Sequence, residues 1–370
     1  MVRVIGHLDL DYFYAQVEEA ENPALKSMPV LVCVFSGRTE DSGVVATANY
    51  KAREFGVRSG MPIVSAKRKL QGENPVLIKM KREKYELVSE RVMQLARENV
   101  DALEQTGIDE AFLDMTRVSH EDFGKAKQIA AKIKESVLAS ERLTCSIGVG
   151  RSKAVAKVAS DFKKPDGLTM VPPESTTSFL NPLPVTKLYG VGPKTAQILE
   201  GLKITTVEEL SKATVQELEG RLGRKLAMHL RAEANGQDDD PVSEKQEPTQ
   251  LSRIITLKHD TNDSDIALAQ LAGALEDLHR RLNSRDISFR TLTAIAILTD
   301  LSTKTKSRTF ESPASDLTTM KEGVRTLLGE LGRTVGKEFR RVGVRLSDLS
   351  SVKDQTSLTQ FLREKKADNA

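Results

Sequence analysis

The chain has no tryptophan, and aromatic residues make up only 4% of its 370 positions. Its cores must therefore be largely aliphatic, and no aromatic-rich surface is on offer for stacking single-stranded bases. Two cysteines are too few for a disulfide framework or a zinc site. Cys33 in LVCVF and Cys145 in LTCSIGVG lie in apolar runs and read as small buried hydrophobes. No stretch approaches the roughly 18 uncharged apolar residues of a membrane helix. The opening MVRVIGHLDLDYFY meets Asp9 and Asp11 before a long apolar run develops, which is not a signal-peptide pattern. Net charge is nearly absent as well, with 55 Lys+Arg against 52 Asp+Glu leaving +3. The expectation is a globular, cytoplasmic protein of a reducing compartment, with no membrane partner. What matters is where its charges sit.

Strand and helix patterns interleave over the first 170 or so residues. VRVIGHLDL, MPVLVCVF and LTCSIGVG read as strands; YFYAQVEEAENP, KYELVSERVMQLARENV and AKQIAAKIKESVLAS read as helices. ALEQTGIDEAFLDMT reads as two short strands hinged near Gly107–Glu110. From VPPESTTSFLNPLP onward, short helices split by glycines predict a small helical domain. GQDDDPVSEKQEPT is acidic, holds two prolines and has no apolar periodicity, so it reads as a linker. Two strand–helix–strand sets follow and predict a compact α+β domain with both helices on one sheet face. Beyond Ser351 the chain turns polar, which predicts disorder up to one motif near the end.

Asp9 and Asp11 close the first apolar strand and share a face if the strand runs that far. Asp109 and Glu110 stand where one short strand turns into the next. Acidic groups in apolar strands are costly unless neutralised. Either they cap turns and pair with Arg or Lys, or they hold Mg²⁺, a hard cation that takes oxygen ligands. Two such ions about 4 Å apart clamp the attacking and leaving oxygens of a phosphoryl displacement.

LDLDYFYAQVEE, GRTEDSGVVATANYKAREFGVRSGMP, GIDEAFLD, CSIGVGRSKAVAKVASDFKKPDG and RRVGVRLS, in this order, resemble the motifs of the Y-family of DNA polymerases, the lesion-bypass enzymes, and most closely the archaeal DNA polymerase IV type. The resemblance spans about residues 1–350. It implies an α+β multidomain, right-hand fold. The palm would take 1–10 and 78–170, the fingers 11–77, and a helical thumb 171–234. A linker would follow at 235–248, then an α+β little finger at 249–350, then a flexible tail at 351–370. It also implies template-directed addition of deoxynucleotides to a primer 3′-OH, with low fidelity and low processivity.

Carried over residue by residue, the resemblance makes Asp9, Asp109 and Glu110 the catalytic carboxylates. With the Leu10 carbonyl they would hold two Mg²⁺. Asp11 and Asp114 match no metal ligand and are left as supporting or structural groups. Tyr14 matches the steric gate, whose ring fills the space of a ribose 2′-OH. Tyr12, Phe13, Thr47, Tyr50, Arg53 and Lys164 match groups around the incoming nucleotide, with Lys163 a rival to Lys164. Val44, Val45 and Ala46 would roof the base, although Val44 stands where a smaller residue is expected.

LYGVGPKTAQIL has the helix-hairpin-helix pattern, with Gly190 and Gly192 letting the backbone approach a phosphate and Lys194 nearby. A weaker second copy surrounds Gly220 and Gly223. In the last domain Arg253, Lys258, Lys304, Lys306, Arg308, Arg340, Arg341 and Arg345 lie in strands, and the alternation of Lys304, Lys306 and Arg308 puts them on one sheet face; by itself that fits a solubilising edge, and the resemblance implies contacts with DNA phosphates. QTSLTQFL fits the pattern of sliding-clamp peptides, with Gln355, Leu358, Phe361 and Leu362 as the anchor. The expected partners are primer-template DNA, deoxynucleoside triphosphates and a clamp, and the expected state is a monomer. Two rival readings remain at this point: a two-metal nuclease or cyclase on a related palm, and a non-catalytic DNA-binding scaffold.

Overall fold

The computed structural model describes residues 2–244 and 248–351. They fall into two compact units, one of 2–34 with 44–244 and one of 35–43 with 248–351. The clamp-type motif Gln355–Leu362 and the expected disorder of the tail lie outside the described residues.

The first unit opens with β1 (Ile5–Leu10), α1 (Phe13–Glu21), β2 (Val30–Phe35), β3 (Gly43–Ala48), α2 (Tyr50–Glu54), α3 (Ile63–Lys69) and β4 (Val76–Lys79). It continues through α4 (Arg82–Arg97), β5 (Ala102–Gln105), β6 (Glu110–Asp114), α5 (Phe123–Glu141), β7 (Cys145–Gly150), α6 (Lys153–Phe162) and β8 (Leu168–Met170). Five strands form one sheet in the order β5-β6-β1-β7-β8, and three form another in the order β3-β2-β4.

β1 is the central strand of the larger sheet and is covered on both faces, so its sequence reads as a near-continuous apolar run. Period-two alternation divides it. Leu8 and Leu10 join a core with Tyr85, Val92 and Met93 of α4 and with Ala126, Ala130, Ile133 and Val137 of α5. Those four α5 positions recur at helical spacing, and Ile133→Ala at their centre should cost about 2–5 kcal/mol. Ile5 packs the other way, against Ala156 of α6. His7 and Asp9 therefore share the α6 face. Gly148 of β7 makes this packing close, since a Cβ there would stand 2.1 Å from the Ala156 carbonyl oxygen and 2.2 Å from the Ser160 nitrogen.

Short helices follow: α7 (Thr176–Leu180), α8 (Pro193–Gly201), α9 (Val207–Lys212), α10 (Val215–Leu222) and α11 (Arg224–Ala234). Thr206 with Glu209 and Thr214 with Glu217 form capping boxes that fix where α9 and α10 begin. The segment after α11 departs from the linker expectation. Residues 237–244 are tied down along the first unit: Arg3 donates to the Asp238 and Asp240 carbonyls, the Ser243 amide donates to Glu104, and Val242 packs on Ile5 and Ala156. One buried valine and backbone hydrogen bonds leave no periodicity to read in a sequence.

In the second unit β9 (Gln250–Thr261), α12 (Ser264–Asn283), β10 (Ile287–Leu298), β11 (Thr303–Ala314), α13 (Leu317–Val335) and β12 (Phe339–Ser351) form the expected α+β domain. Its sheet runs β11-β10-β12-β9 with every neighbour antiparallel. Leu271, Leu275 and Leu278 of α12 and Val324, Leu328 and Leu331 of α13 bury one face of it.

Candidate active site

β1 pairs with β6 so that Asp9 lies opposite Glu110, and the Leu10 amide donates to the Asp109 carbonyl at 2.8 Å. The hairpin between β5 and β6 is closed by the Gly107 amide donating to the Glu110 carbonyl, and a Cβ on Gly107 would stand 2.9 Å from Glu110 Cγ. Strand pairing thus brings Asp9, Asp109 and Glu110 to one end of the sheet although a hundred positions separate them. Burial pushes the Asp9 carboxyl up to about 6 against the pull of Lys164, and it raises Asp109 as well. Glu110 goes the other way. The Lys157 ammonium at 2.6 Å, against burial, holds it below the usual carboxylate range, and the His7 ring nitrogen stands 3.5 Å away.

Lys164 Nζ lies 2.7 Å from Asp9 and 2.7 Å from Asp161, so Lys164 rather than Lys163 reaches the carboxylates. Two ammonium groups therefore partner two of the three acids. The donor set is all oxygen and its buried acids carry unfavourable charge, which suits a hard divalent cation. Among the described residues, however, no three acidic, histidine or cysteine side chains converge as they stand to hold an ion. Glu110 is engaged with Lys157 and Asp9 with Lys164.

The expectation that Asp11 shares a face with Asp9 fails, because β1 ends at Leu10 and the chain turns through Tyr12 at φ 35. Asp11 is instead a buried brace that accepts hydrogen bonds from the Thr144 and Ser146 hydroxyls and the Asp166 amide, each at 2.8 Å. Asp114 accepts from the Thr116 amide in a turn.

Tyr12 precedes α1 in the left-handed region and gives that helix no side-chain cap. Its hydroxyl donates to Glu19, and its ring meets Tyr50 edge-on at 5.0 Å. The Phe13 ring is core, so only its backbone is left for a ligand. Tyr14 is half-buried, with its ring 4.7 Å from that of Tyr85. α2 is capped by Asn49 and presents Tyr50 and Arg53 together, the guanidinium 5.0 Å from the ring centroid. Thr47 is almost buried. The roof expectation needs one correction: Val44 is exposed and Ala46 partly so, but Val45 is fully buried in the opposite direction. Alternation along β3 allows two of the three residues on the open face and no more.

Among the DNA-facing expectations, Gly190 adopts φ 84, and Gly192 caps α8 with Pro193 in its first turn beside Lys194. Gly223, at φ 77, stands at the N-terminus of α11, while Gly220 lies inside α10. In the second unit the basic residues divide. Lys304, Lys306 and Arg308 do share a face, but they pair with Ala296, Ala294 and Leu292, which are buried beneath the helices. They rim the helix side, where Lys306 reaches Glu330 at 2.6 Å. Arg253 joins them there, 2.6 Å from Asp277 of α12. Arg341 and Arg345 pair with Ile297 and Thr293 on the open face, and Arg340 sits in the β-bulge between Phe339 and Arg341.

Sequence reasoning missed His7, Lys157 and Ser160. The signal for His7 was its place two residues before Asp9. Lys157 was hidden because Lys153 and Lys157, four apart, look like a solvated helix face.

Models of the impB/mucB/samB family match residues 8–161, its helix-hairpin-helix motif 173–204 and its C-terminal domain 248–360. The chain is 44% identical to a DNA polymerase IV of Methanosarcina acetivorans over 98% of this chain and all of that one. It is 38% identical to a DNA polymerase IV of Nitrosopumilus maritimus over 97% and 99%. Among solved structures, a Y-family DNA polymerase chimera, Dbh-Dpo4(243-245)-Dbh, matches with a TM-score of 0.88 at 34% identity over 94% of this chain and 99% of that one. An insertion ternary complex of Dbh DNA polymerase matches with a TM-score of 0.68 at the same identity. A carboxylate-bearing strand pair facing a lysine, a helix-hairpin-helix and a separate α+β domain thus occur together in one chain, which belongs to the impB/mucB/samB family, the Y-family of template-directed, lesion-bypass DNA polymerases.

Proposed function

We propose that Asp9, the Leu10 carbonyl, Asp109 and Glu110 hold two Mg²⁺ ions and form the nucleotidyl-transfer centre of this translesion DNA polymerase. The observation that carries the reading is the pairing of Asp9 with Glu110 across β1 and β6, with Asp109 on the same turn. Divalent ions held by these oxygens would supply charge stabilisation for an in-line displacement at the α-phosphate. The chain's own side chains bind and orient. Lys164, beside Asp9, carries positive charge to the triphosphate. Tyr50 and Arg53, stacked on α2, with Thr47, grip its distal end. The Tyr12 and Phe13 backbone amides at the uncapped start of α1 add neutral donors. Tyr14 serves as the steric gate, supported by Tyr85 behind it.

The five-stranded sheet with its helices is assigned as palm, the three-stranded sheet with α1–α3 as fingers, 171–234 as thumb and 249–350 as little finger. Gly190, Gly192 and Lys194 hold a DNA phosphate through the hairpin, and Arg341 and Arg345 line the open face of the last sheet toward the duplex, with Arg340 in the bulge beside them. Lys304, Lys306, Arg308 and Arg253 contribute from its rim. Gln355, Leu358, Phe361 and Leu362 recruit a sliding clamp, and the enzyme acts as a cytoplasmic monomer; these two points rest on sequence pattern.

Asp109→Ala with Glu110→Ala should abolish primer extension in Mg²⁺ while leaving DNA binding within a few-fold. Extension at wild-type rate would overturn the site. Tyr14→Ala should admit ribonucleotides by more than about tenfold, and unchanged sugar selectivity would refute the gate.

A further inference from the structure

Behind the carboxylates lies a side-chain circuit that the nucleotide chemistry does not employ. His7 of β1 is fully buried and has Gly148 as its strand partner on β7. Because Gly148 lets α6 lie backbone-against-strand, Lys157 and Ser160, three residues apart on α6, come over the imidazole. Three contacts close a ring, and a fourth joins it to Glu110. His7 Nδ1 meets Ser160 Oγ at 2.8 Å, and Ser160 Oγ donates to the Lys157 carbonyl at 2.8 Å. Lys157 Nζ lies 3.4 Å from His7 Nε2 and donates to Glu110 Oε2 at 2.6 Å.

One assignment of hydrogens satisfies the ring. The single hydroxyl hydrogen of Ser160 goes to the Lys157 carbonyl, so Ser160 Oγ accepts from His7, and Nδ1 carries the imidazole hydrogen. Nε2 is then a bare acceptor. That suits an ammonium, which only donates, and it gives nothing to the Glu110 carboxylate, which only accepts. His7 therefore acts on Glu110 through Lys157. The remaining Glu110 oxygen takes the Thr106 hydroxyl at 3.2 Å.

We propose that His7 and Lys157 are a positioning pair: His7 aims the Lys157 ammonium, and Lys157 holds Glu110 Oε2 as an internal cation that a divalent ion must displace or share. The ammonium keeps the carboxylate placed between turnovers. It also opposes a dication at the same oxygen, so loading of the site awaits the negative charge of the nucleotide. The inference rests on Glu110 being a metal ligand.

The test is Mn²⁺ binding to the enzyme–primer-template complex without nucleotide, read from the electron paramagnetic resonance signal of free Mn²⁺, beside kcat and KM for the nucleotide. Lys157→Met should tighten Mn²⁺ binding by about fivefold or more, because a positive charge near the site is removed. It should also lower kcat with little change in KM. His7→Phe should shift both in the same direction by about half as much on a logarithmic scale, and His7→Gln, which can still present an acceptor, should restore them. Lys157 is partly exposed, so its variant carries the test if His7→Phe does not fold. Unchanged Mn²⁺ affinity in Lys157→Met, with Glu110→Ala weakening it, overturns the positioning pair and leaves the ligand assignment standing. Unchanged affinity in Glu110→Ala overturns the assignment and the pair with it.

Discussion

In the first unit Asp9, Asp109 and Glu110 crowd one end of a sheet, and two of them are raised by burial despite nearby lysines. In the second unit Asp277 of α12 sits within 2.6 Å of Arg253 and 3.1 Å of Arg281. Although burial would raise it, the two guanidinium groups hold Asp277 below the usual carboxylate range. Both places set carboxylates beside strands. In the second unit the charges satisfy one another, and in the first they are left in excess. A carboxylate kept at a cost to stability is what a cation site requires, whereas a carboxylate that its partners stabilise is scaffold.

The sharpest way to break this comparison is a pair of isosteric changes. Burial disfavours the charged form of Asp109 and raises its carboxyl, so Asp109→Asn removes a penalty. Primer extension should fall by at least about a thousandfold while the melting temperature rises by about 2–4 °C. Asp277→Asn should do the reverse, lowering the melting temperature by a similar amount with extension nearly unchanged. Calorimetry and extension assays on the two variants decide it; a destabilised Asp109→Asn protein would mean that the two regions do not differ.

Glu233 of α11 is a third case, buried with no partner for its Oε2 among the described residues. Burial, helped by Asp238 and Asp240, pushes its carboxyl from 4.5 up to about 8. Glu104, Lys153, Lys157 and His229 line the same cavity. A raised acid favours the folded state in its protonated form, so the native protein loses stability as pH climbs from 4.5 to 8. Glu233→Gln should be neutral near pH 4.5 and stabilising by an amount on the order of 3–4 kcal/mol near pH 9. A gain that does not grow with pH would mean that Glu233 is already ionised at low pH.

Much of this was legible in the sequence, for identifiable reasons. The strand end at Asp9, the GIDE turn, the helix-hairpin-helix glycines and the paired strand–helix–strand sets are local patterns, and local patterns survive in one dimension. Two kinds of information did not survive. Alternation said that Lys304, Lys306 and Arg308 share a face but not which face; that needed their register against Leu292, Ala294 and Ala296. Likewise, Asp11 looked like the twin of Asp9 until the turn at Tyr12 rotated it toward Thr144 and Asp166. The His7–Lys157–Glu110 contacts join three distant segments through a helix seated on Gly148, and no spacing rule reaches that far.

The smallest expected effect tests the divided basic residues. Arg253 and Lys306 already have carboxylate partners, so part of their charge is neutralised before DNA arrives. Arg345 and Arg341 stand on the open face of the sheet, where Arg341 has only a hydroxyl neighbour described, Thr256 at 3.2 Å. A phosphate contact by either arginine releases counterions, so Arg341→Ala and Arg345→Ala should each weaken primer-template binding by about three- to tenfold and reduce the slope of log affinity against log salt by about 0.9. Arg253→Ala and Lys306→Ala should change that slope by less than half as much. Loss of Lys306 also frees Glu330 to repel the duplex, whereas Asp277 keeps Arg281 at 3.1 Å, so affinity can fall in Lys306→Ala while the slope holds. The slope, measured by fluorescence anisotropy between low and physiological salt, is therefore the quantity that separates a phosphate contact from a neutralised pair, and an equal fall in slope in all four variants would place both faces of the sheet on DNA.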